Sequence, residues 1–212
     1  MNIAMINGSP KYKDSNSLKF LERLEPMLCE DNKIIHYNPA AKPFLEEQYL
    51  ELCHMDILIF SFPLYVDGIP SHLFRMLISL EEYMKINRQN SITVYTIINN
   101  GFYEGIQNHI AMRIMKNWCL RAGLTFGQGI GMGSGEMMGS LDNVPLGQGP
   151  LKNLGLAYQD MADNIKSHST GNPVFLSPNF PKFAWKFSAS HFFWNAAARK
   201  NGLKKKDLLR QL

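Results

Sequence analysis

Hydroxyl, amide and lysine side chains are concentrated directly after the first apolar run of the chain, residues 3–6. Residues 7–17 read Asn-Gly-Ser-Pro-Lys-Tyr-Lys-Asp-Ser-Asn-Ser. Where a strand turns into a helix, free N–H groups and the helix dipole favour a bound anion. A single residue such as Ser15 or Asp14 would be explained as a helix cap, but the whole set favours an anion site. We therefore predict a phosphate-binding loop whose ligands are Ser9, Lys11, Ser15, Asn16 and Ser17.

Residues 62–68, Phe-Pro-Leu-Tyr-Val-Asp-Gly, place an aromatic ring in a tight turn after another apolar run, residues 57–60. Proline and glycine favour such a turn. An aromatic side chain beside a phosphate-binding site suggests flavin mononucleotide (FMN). The backbone N–H groups of the turn would face the polar edge of the flavin ring. The alternative is an ordinary tyrosine packed at the edge of a sheet. The predicted flavin contacts in this turn are Pro63, Leu64, Tyr65 and Val66.

A third polar loop follows the apolar run at residues 92–98 and reads Asn-Asn-Gly-Phe-Tyr-Glu. Its amides and N–H groups suit the pyrimidine end of a flavin, although Asn100 alone could be a helix cap. The predicted contacts here are Asn99, Asn100, Gly101 and Phe102.

Other phosphate-binding motifs do not fit the first loop. Counted from Gly8, Lys13 stands where a Walker loop needs its second glycine. The dinucleotide fingerprint Gly-x-Gly-x-x-Gly is absent from the loop, and so is a cysteine nucleophile. The six histidines show no metal-ligand spacing, so we predict no metal site. We also find no defensible catalytic triad or carboxylate pair and assign no catalytic side chain.

Short apolar runs alternate with helical patterns, which indicates repeated βαβ units. Five runs (residues 3–6, 33–37, 56–60, 92–98 and 125–130) are predicted strands. The predicted fold is a three-layer α/β structure: a five-stranded parallel sheet in the order 2-1-3-4-5 with helices on both faces. Its ligand would bind at the switch point between the adjacent first and third strands, where the strand order reverses. We expect a body over residues 1–167, a Pro- and Gly-containing linker over 168–181 and a helical extension over 182–212.

Taken together, Asn-Gly-Ser-Pro-Lys-x4-Asn-Ser and Pro-Leu-Tyr-Val-Asp-Gly-Ile-Pro resemble the NAD(P)H-dependent FMN reductase-like family of flavodoxin-fold proteins, over residues 1–166. The resemblance implies FMN, phosphate contacts from Ser9, Lys11, Asn16 and Ser17, and ring contacts from residues 63–66 and 99–102. It also implies a homodimer in which the partner helps to form the substrate pocket. Many members have arginine at the position of Lys11. The lysine keeps the positive charge but cannot make the bidentate phosphate contact of an arginine.

The positive charge of the chain is concentrated at its C-terminal end. Residues 181–212 contain eight basic residues and one acidic residue, hence +7, while the whole chain carries +4 and the rest therefore −3. This distribution argues against a nucleic-acid-binding body. Six Phe and Trp residues also lie between 183 and 194. The extension could pack on the body or on a second subunit, rest on an anionic membrane as a peripheral contact, or cover the flavin.

Three scattered cysteines, no Cys-x-x-Cys and no basic-then-apolar leader are typical of a cytoplasmic protein with buried thiols. The predicted function is that of an FMN-dependent oxidoreductase. Hydride would pass from NADH or NADPH to the flavin and then to a small-molecule acceptor such as a quinone, a nitro compound or free flavin. The alternative is an electron carrier or a flavin-based sensor that acts with protein partners.

Overall fold

The computed structural model describes residues 1–11, 13–30 and 32–210. Contacts divide the chain into two compact units, Met1–Pro178 and Asn179–Leu212. The first unit is built on a parallel sheet of six strands in the order β2-β1-β3-β4-β5-β6. The strands are β1 Asn2–Asn7, β2 Lys33–Tyr37, β3 Ile57–Pro63, β4 Thr93–Asn99, β5 Thr125–Met132 and β6 Val174–Leu176.

Helices connect the strands and cover the sheet. In the first unit they are α1 Asn16–Leu24, α2 Glu46–Cys53, α3 Ser71–Asn87, α4 His109–Ala122, α5 Gly135–Gly139 and α6 Lys152–Lys166. α4 shows how the sequence sets a boundary: Gly123 adopts φ +69° just after it, and the N–H of Leu124 donates to the carbonyl of Cys119 at 2.8 Å. Glycine adopts this left-handed conformation without the steric cost of a Cβ.

The central strands β1 and β3 are mostly apolar because both faces of the sheet are buried there. Ala4 and Ile6 of β1 enter one core, together with residues of α3 and α4. Ile3 and Met5 point the opposite way and enter the other core, together with residues of α1 and α6. This alternation is the two-residue period of a strand, and it confirms the predicted arrangement of helices on both faces.

The prediction of five strands is wrong by one. β6 pairs in parallel with the end of β5, and it lies within residues 168–181, where we expected only a linker. Its three residues are too few to show a periodicity, and Pro173 precedes them. The predicted order of the first five strands is confirmed, with β6 added at the edge beside β5.

One cysteine also departs from expectation. Cys53 and Cys119 are buried, but Cys29 is exposed, and all three are free thiols. Cys29 follows a short 3-10 turn, Glu25–Met27, instead of lying in a helix. This turn, which includes Pro26, follows α1 directly and separates Cys29 from that helix.

The second unit is helical. It comprises α7 Lys182–Ser188, a π-helical segment Ala189–Trp194, α8 Asn195–Lys200 and a 3-10 turn Lys205–Leu209. The expected extension over 182–212 includes residues 211 and 212, which lie outside the described residues. Within the described part of the chain, no helix is both long and apolar enough to cross a lipid bilayer.

Candidate functional site

A cleft of about 290 Å³ lies where the loops after β1, β3 and β4 meet. The carboxyl ends of parallel strands share one edge of a sheet, and β1 and β3 are neighbours on either side of the reversal in strand order. Eleven of the thirteen predicted contact residues line this cleft, the exceptions being Val66 and Phe102. The lining residues are Ser9, Lys11, Asp14, Ser15, Asn16, Ser17, Pro63, Leu64, Tyr65, Asn99, Asn100, Gly101 and Glu136.

Side-chain hydrogen bonds fix the shape of the first loop. Asn7 Oδ1 accepts from the N–H of Ser9 at 3.1 Å and from the Ser15 hydroxyl at 3.3 Å. Ser15 Oγ in turn accepts from the N–H of Leu18 at 3.1 Å, so Ser15 is the N-cap of α1. The helix-cap alternative therefore describes Ser15 correctly, although Ser15 also lines the cleft.

The ammonium group of Lys11 donates to the backbone carbonyl of Asp14 at 2.9 Å. This bond holds the cation over the loop, and the Lys11 side chain remains exposed to solvent. Asp14 itself has φ +50°, a conformation that Asp and Asn tolerate better than most residues. The loop thus presents an ammonium group, hydroxyls and an amide at one end of the cleft.

The surroundings of His72, at the start of α3, disfavour a charged imidazole. Burial, followed by the neighbouring Arg75, lowers the pKa of His72, while a hydrogen bond with the Gly8 backbone acts in the opposite direction. Burial and Arg75 both favour the neutral imidazole. Lys11 is the only basic residue among those lining the cleft.

Ser17 and Asn99 are bonded to each other across the floor of the cleft. Asn99 Nδ2 donates to Ser17 Oγ at 3.0 Å and to the carbonyl of Phe62 at 3.2 Å. Both side chains are buried. This amide therefore ties the ends of β3 and β4 to the start of α1, which rigidifies the place where a ligand would lie.

Tyr65 lies at the first position of a two-residue hairpin turn. Its N–H and carbonyl both pair with Gly68, at 3.1 and 2.9 Å, and the two central residues, Val66 and Asp67, have φ +47° and +58°. These are the angles of a type I′ turn, which favours Asn and Gly. A β-branched residue is strained there. The turn leaves the ring of Tyr65 half exposed beside the cleft.

Val66 and Phe102 were predicted to contact the flavin, but neither lines the cleft. Val66 points entirely into solvent because of the turn geometry. Phe102 is exposed, while its N–H donates to Asn100 Oδ1 at 2.8 Å. Asn100 therefore closes a local turn. The N-cap of α4 is Asn108 and not Asn100.

Two carboxylates in the cleft were not among the predicted site residues. Asp14 was considered only as a cap, and Glu136 lies at the start of α5. Both line the cleft. α5 reaches the site because Gly139 packs against Asn16; a Cβ at Gly139 would lie 2.6 Å from Asn16 Cγ. The dense glycines after β5 were the available signal for such a close approach.

Buried polar atoms under the loop lack partners among the described residues. Asn7 Nδ2 and Ser61 Oγ are both buried without a hydrogen bond, and the two residues are paired across β1 and β3. Unpaired buried donors are costly and are typical of functional sites. No group of three or more His, Cys, Asp or Glu that could hold a metal ion occurs in the part of the chain that the structure describes.

Neither a protein-family model nor a curated protein sequence matches this chain. Solved structures do. An NAD(P)H:quinone oxidoreductase from Methanothermobacter marburgensis superposes with a TM-score of 0.57 at 15% identity, covering 81% of this chain and 98% of the other. An NADPH-quinone reductase from P. pentosaceus gives 0.55 at 16% identity, with 76% and 98% covered.

A third similar structure is an FMN-dependent NADH-azoreductase from Bacillus anthracis str. Ames Ancestor, in complex with FMN. It gives a TM-score of 0.52 at 15% identity and covers 80% of this chain and 100% of the other. At these identities the comparisons concern the fold. Together with the strand order, they confirm that residues 1–178 have a three-layer flavodoxin-like fold.

Proposed function

We propose that this protein is an FMN-dependent oxidoreductase that takes hydride from NADH or NADPH and passes electrons to a small-molecule acceptor. The observation that carries the proposal is the cleft itself: three separate loops bring eleven independently predicted residues to one place. Three solved structures of the same fold are described as NAD(P)H-quinone reductases or an FMN-dependent azoreductase, which supports both the cofactor and the reaction type.

The chemistry of the cleft fits FMN. Lys11, Ser9 and Asn16 would hold the phosphate, because an ammonium group, a hydroxyl and an amide are all donors to an anionic oxygen. Tyr65 and Leu64 would flank the ring, since the turn leaves the Tyr65 ring beside the cleft. The N–H groups of Leu64, Tyr65 and Gly68 already donate to the backbone carbonyls of Asn99, Gly68 and Tyr65, so this turn would contact the ring mainly through the side chains of Tyr65 and Leu64.

FMN, when bound, would supply the hydride and electron transfer. The chain's own residues need only bind, orient and shield it. The Asn99–Ser17 bond (3.0 Å) would keep the floor of the site rigid. The carboxylate of Glu136 would place negative charge in the cleft, which favours neutral acceptors such as quinones, nitro compounds or free flavin rings over carboxylated ones.

We also propose that the enzyme is a homodimer. Phe74 and Ile78 lie one turn apart on the outer side of α3. Ile110 is exposed at the start of α4, and Ile106 is exposed in the 3-10 turn Gly105–Asn108 that precedes it. Exposed apolar residues on neighbouring helices are typical of subunit contacts. Changing Phe74 and Ile78 to Asp should yield monomers by light scattering, whereas Leu156→Asp, an exposed leucine of α6, should not.

Anaerobic stopped-flow spectroscopy tests the reaction. The FMN-loaded protein is mixed with NADH, with NADPH and, as a positive control, with dithionite. Rapid loss of flavin absorbance with either nicotinamide, followed by reoxidation on addition of a quinone, is the expected result. Reduction by dithionite alone would refute the reductase proposal and leave the electron carrier or sensor as the function.

A further inference from the structure

The second unit exposes an unusual amount of aromatic surface. Five large rings are more than half exposed, with Phe183 at 78% and Phe192 at 74%. They lie on the stretch that runs from α7 through the π-helical segment, which we call the aromatic stretch: Phe183, Phe187, Phe192, Phe193 and Trp194. Exposed apolar patches of this kind mark interaction sites on folded proteins.

The rings of the aromatic stretch contact one another. Phe187 stacks on His191 with ring centroids 4.1 Å apart and meets Phe192 edge-on at 6.3 Å. Phe193 and Trp194 meet edge-on at 5.4 Å. His191 is also bonded to the Phe187 carbonyl at 3.1 Å. The surface is therefore formed before any partner arrives, which lowers the entropy cost of binding.

Basic side chains accompany these rings. Every lysine and arginine of the unit whose side chain the structure describes is exposed. Asp207 is the only acidic residue after Asp163, and its carboxylate accepts from the N–H of Lys204 at 2.8 Å. Seven basic side chains are thus exposed in the same unit as the aromatic stretch: Lys182, Lys186, Arg199, Lys200, Lys204, Lys206 and Arg210.

We propose that the second unit docks on the surface of an anionic lipid bilayer. Phe and Trp rings bind at the boundary between headgroups and acyl chains, while Lys and Arg reach the lipid phosphates and carboxylates. A membrane leaflet facing the cytoplasm carries anionic lipid. A second copy of this chain offers much weaker charge complementarity, because residues 1–180 carry only about −3 in total. The proposal is independent of the FMN site.

Co-sedimentation of the full chain with vesicles tests the proposal. The vesicles are phosphatidylcholine alone, or phosphatidylcholine with 30% phosphatidylserine (roughly the content that gives a −30 mV or stronger surface potential). We expect binding to the anionic vesicles only, with release in about 1 M NaCl, where the Debye length falls to about 3 Å. Fluorescence of Trp194 should shift to the blue on binding, and Trp194→Phe should remove most of the shift.

Matched variants assign the binding to this unit. Each basic residue near an anionic surface contributes about a five-fold gain in affinity. Reversing Lys200, Lys204 and Lys206 to Glu should therefore weaken binding by more than about 100-fold, because it removes three positive charges and adds three negative ones. All three are exposed, so folding is preserved.

The control reverses the same number of exposed lysines in the first unit, Lys116, Lys152 and Lys166, and should retain most of the affinity. Replacing Phe192, Phe193 and Trp194 by Ser should abolish binding even at low salt.

Three results would overturn the proposal. The first is no sedimentation of the wild type with anionic vesicles at low salt. The second is equal binding by the C-terminal variants and the control. The third is that the wild type forms a concentration-dependent oligomer, that the triple Ser variant does not, and that neither protein binds vesicles. That result would show that the aromatic stretch contacts a second copy of the chain.

Discussion

Removing the charge of Lys11 should weaken binding of FMN while leaving binding of riboflavin, which lacks the phosphate, unchanged. The ammonium group is held over the loop by its 2.9 Å bond to the Asp14 carbonyl, but it is exposed to solvent. A hydrogen bond to a charged group is worth about 1.5–3 kcal/mol, and exposure places this one at the lower end. The expected loss for Lys11→Ala is therefore about ten-fold in Kd.

Flavin fluorescence titrations of FMN and riboflavin give the two affinities. Lys11→Arg should keep most of the FMN affinity because it keeps the charge. Lys13→Ala is the matched control, since Lys13 carries the same charge in the same loop but does not line the cleft. The difference between wild type and Lys11→Ala should also shrink as salt is added.

A substitution of Asp14 should change FMN affinity in the opposite direction, because Asp14 carries a negative charge. Its carboxylate lines the cleft close to the proposed phosphate seat, so Asp14→Asn should tighten FMN binding several-fold by removing a like charge. Asn also tolerates the φ of +50° at this position.

Equal FMN affinity in wild type and Lys11→Ala, or an equal loss in Lys13→Ala, would refute the assignment of the phosphate to this loop.

Three further changes have defined outcomes. Gly139→Ala should displace Asn16 and weaken FMN binding about five-fold, which corresponds to the loss of one hydrogen bond. Gly68→Ala is the control and should leave FMN binding unchanged, because its Cβ would meet nothing within 3.5 Å. Equal FMN affinities of the two variants in a fluorescence titration would contradict this prediction. Val66→Asn should raise the free energy of unfolding by about 1 kcal/mol in urea, because it relieves strain at φ +47° without losing buried area; an unchanged or lower midpoint would count against the strain. Burial raises the pKa of Cys119 from 9.0 to about 12. Above pH 9 the folded state therefore keeps a proton that the unfolded state loses. The stability advantage of the wild type over Cys119→Ala should then fall by about 1.4 kcal/mol per pH unit. A difference that stays constant from pH 9 to 11 would refute that burial effect.

The sequence predicted the sheet well because its central strands carry a strong signal. β1, β3 and β4 are buried on both faces and consist mostly of apolar residues. β6 gave no such signal: it has three residues, lies at the edge of the sheet and is half-buried. Only pairing with β5 makes it a strand, and pairing between distant segments is not encoded in local composition.

The candidate site was predicted to the level of its loops but not of every side chain. Loops at the ends of adjacent strands must converge, which explains why Ser9, Tyr65 and Asn99 share one cleft. Side-chain direction depends on turn geometry, and the type I′ turn sends Val66 into solvent. Glu136 arrives only through the packing of α5 beside α1, a contact that no spacing in the sequence reveals.

The measurement that tests the central claim most directly is the visible absorption spectrum of the protein after incubation with excess FMN and removal of the free cofactor by gel filtration. The cleft at the ends of β1, β3 and β4 predicts a yellow protein that retains one FMN per chain. A protein that emerges colourless, while its circular dichroism shows an intact fold, would contradict the assignment of this cleft to FMN.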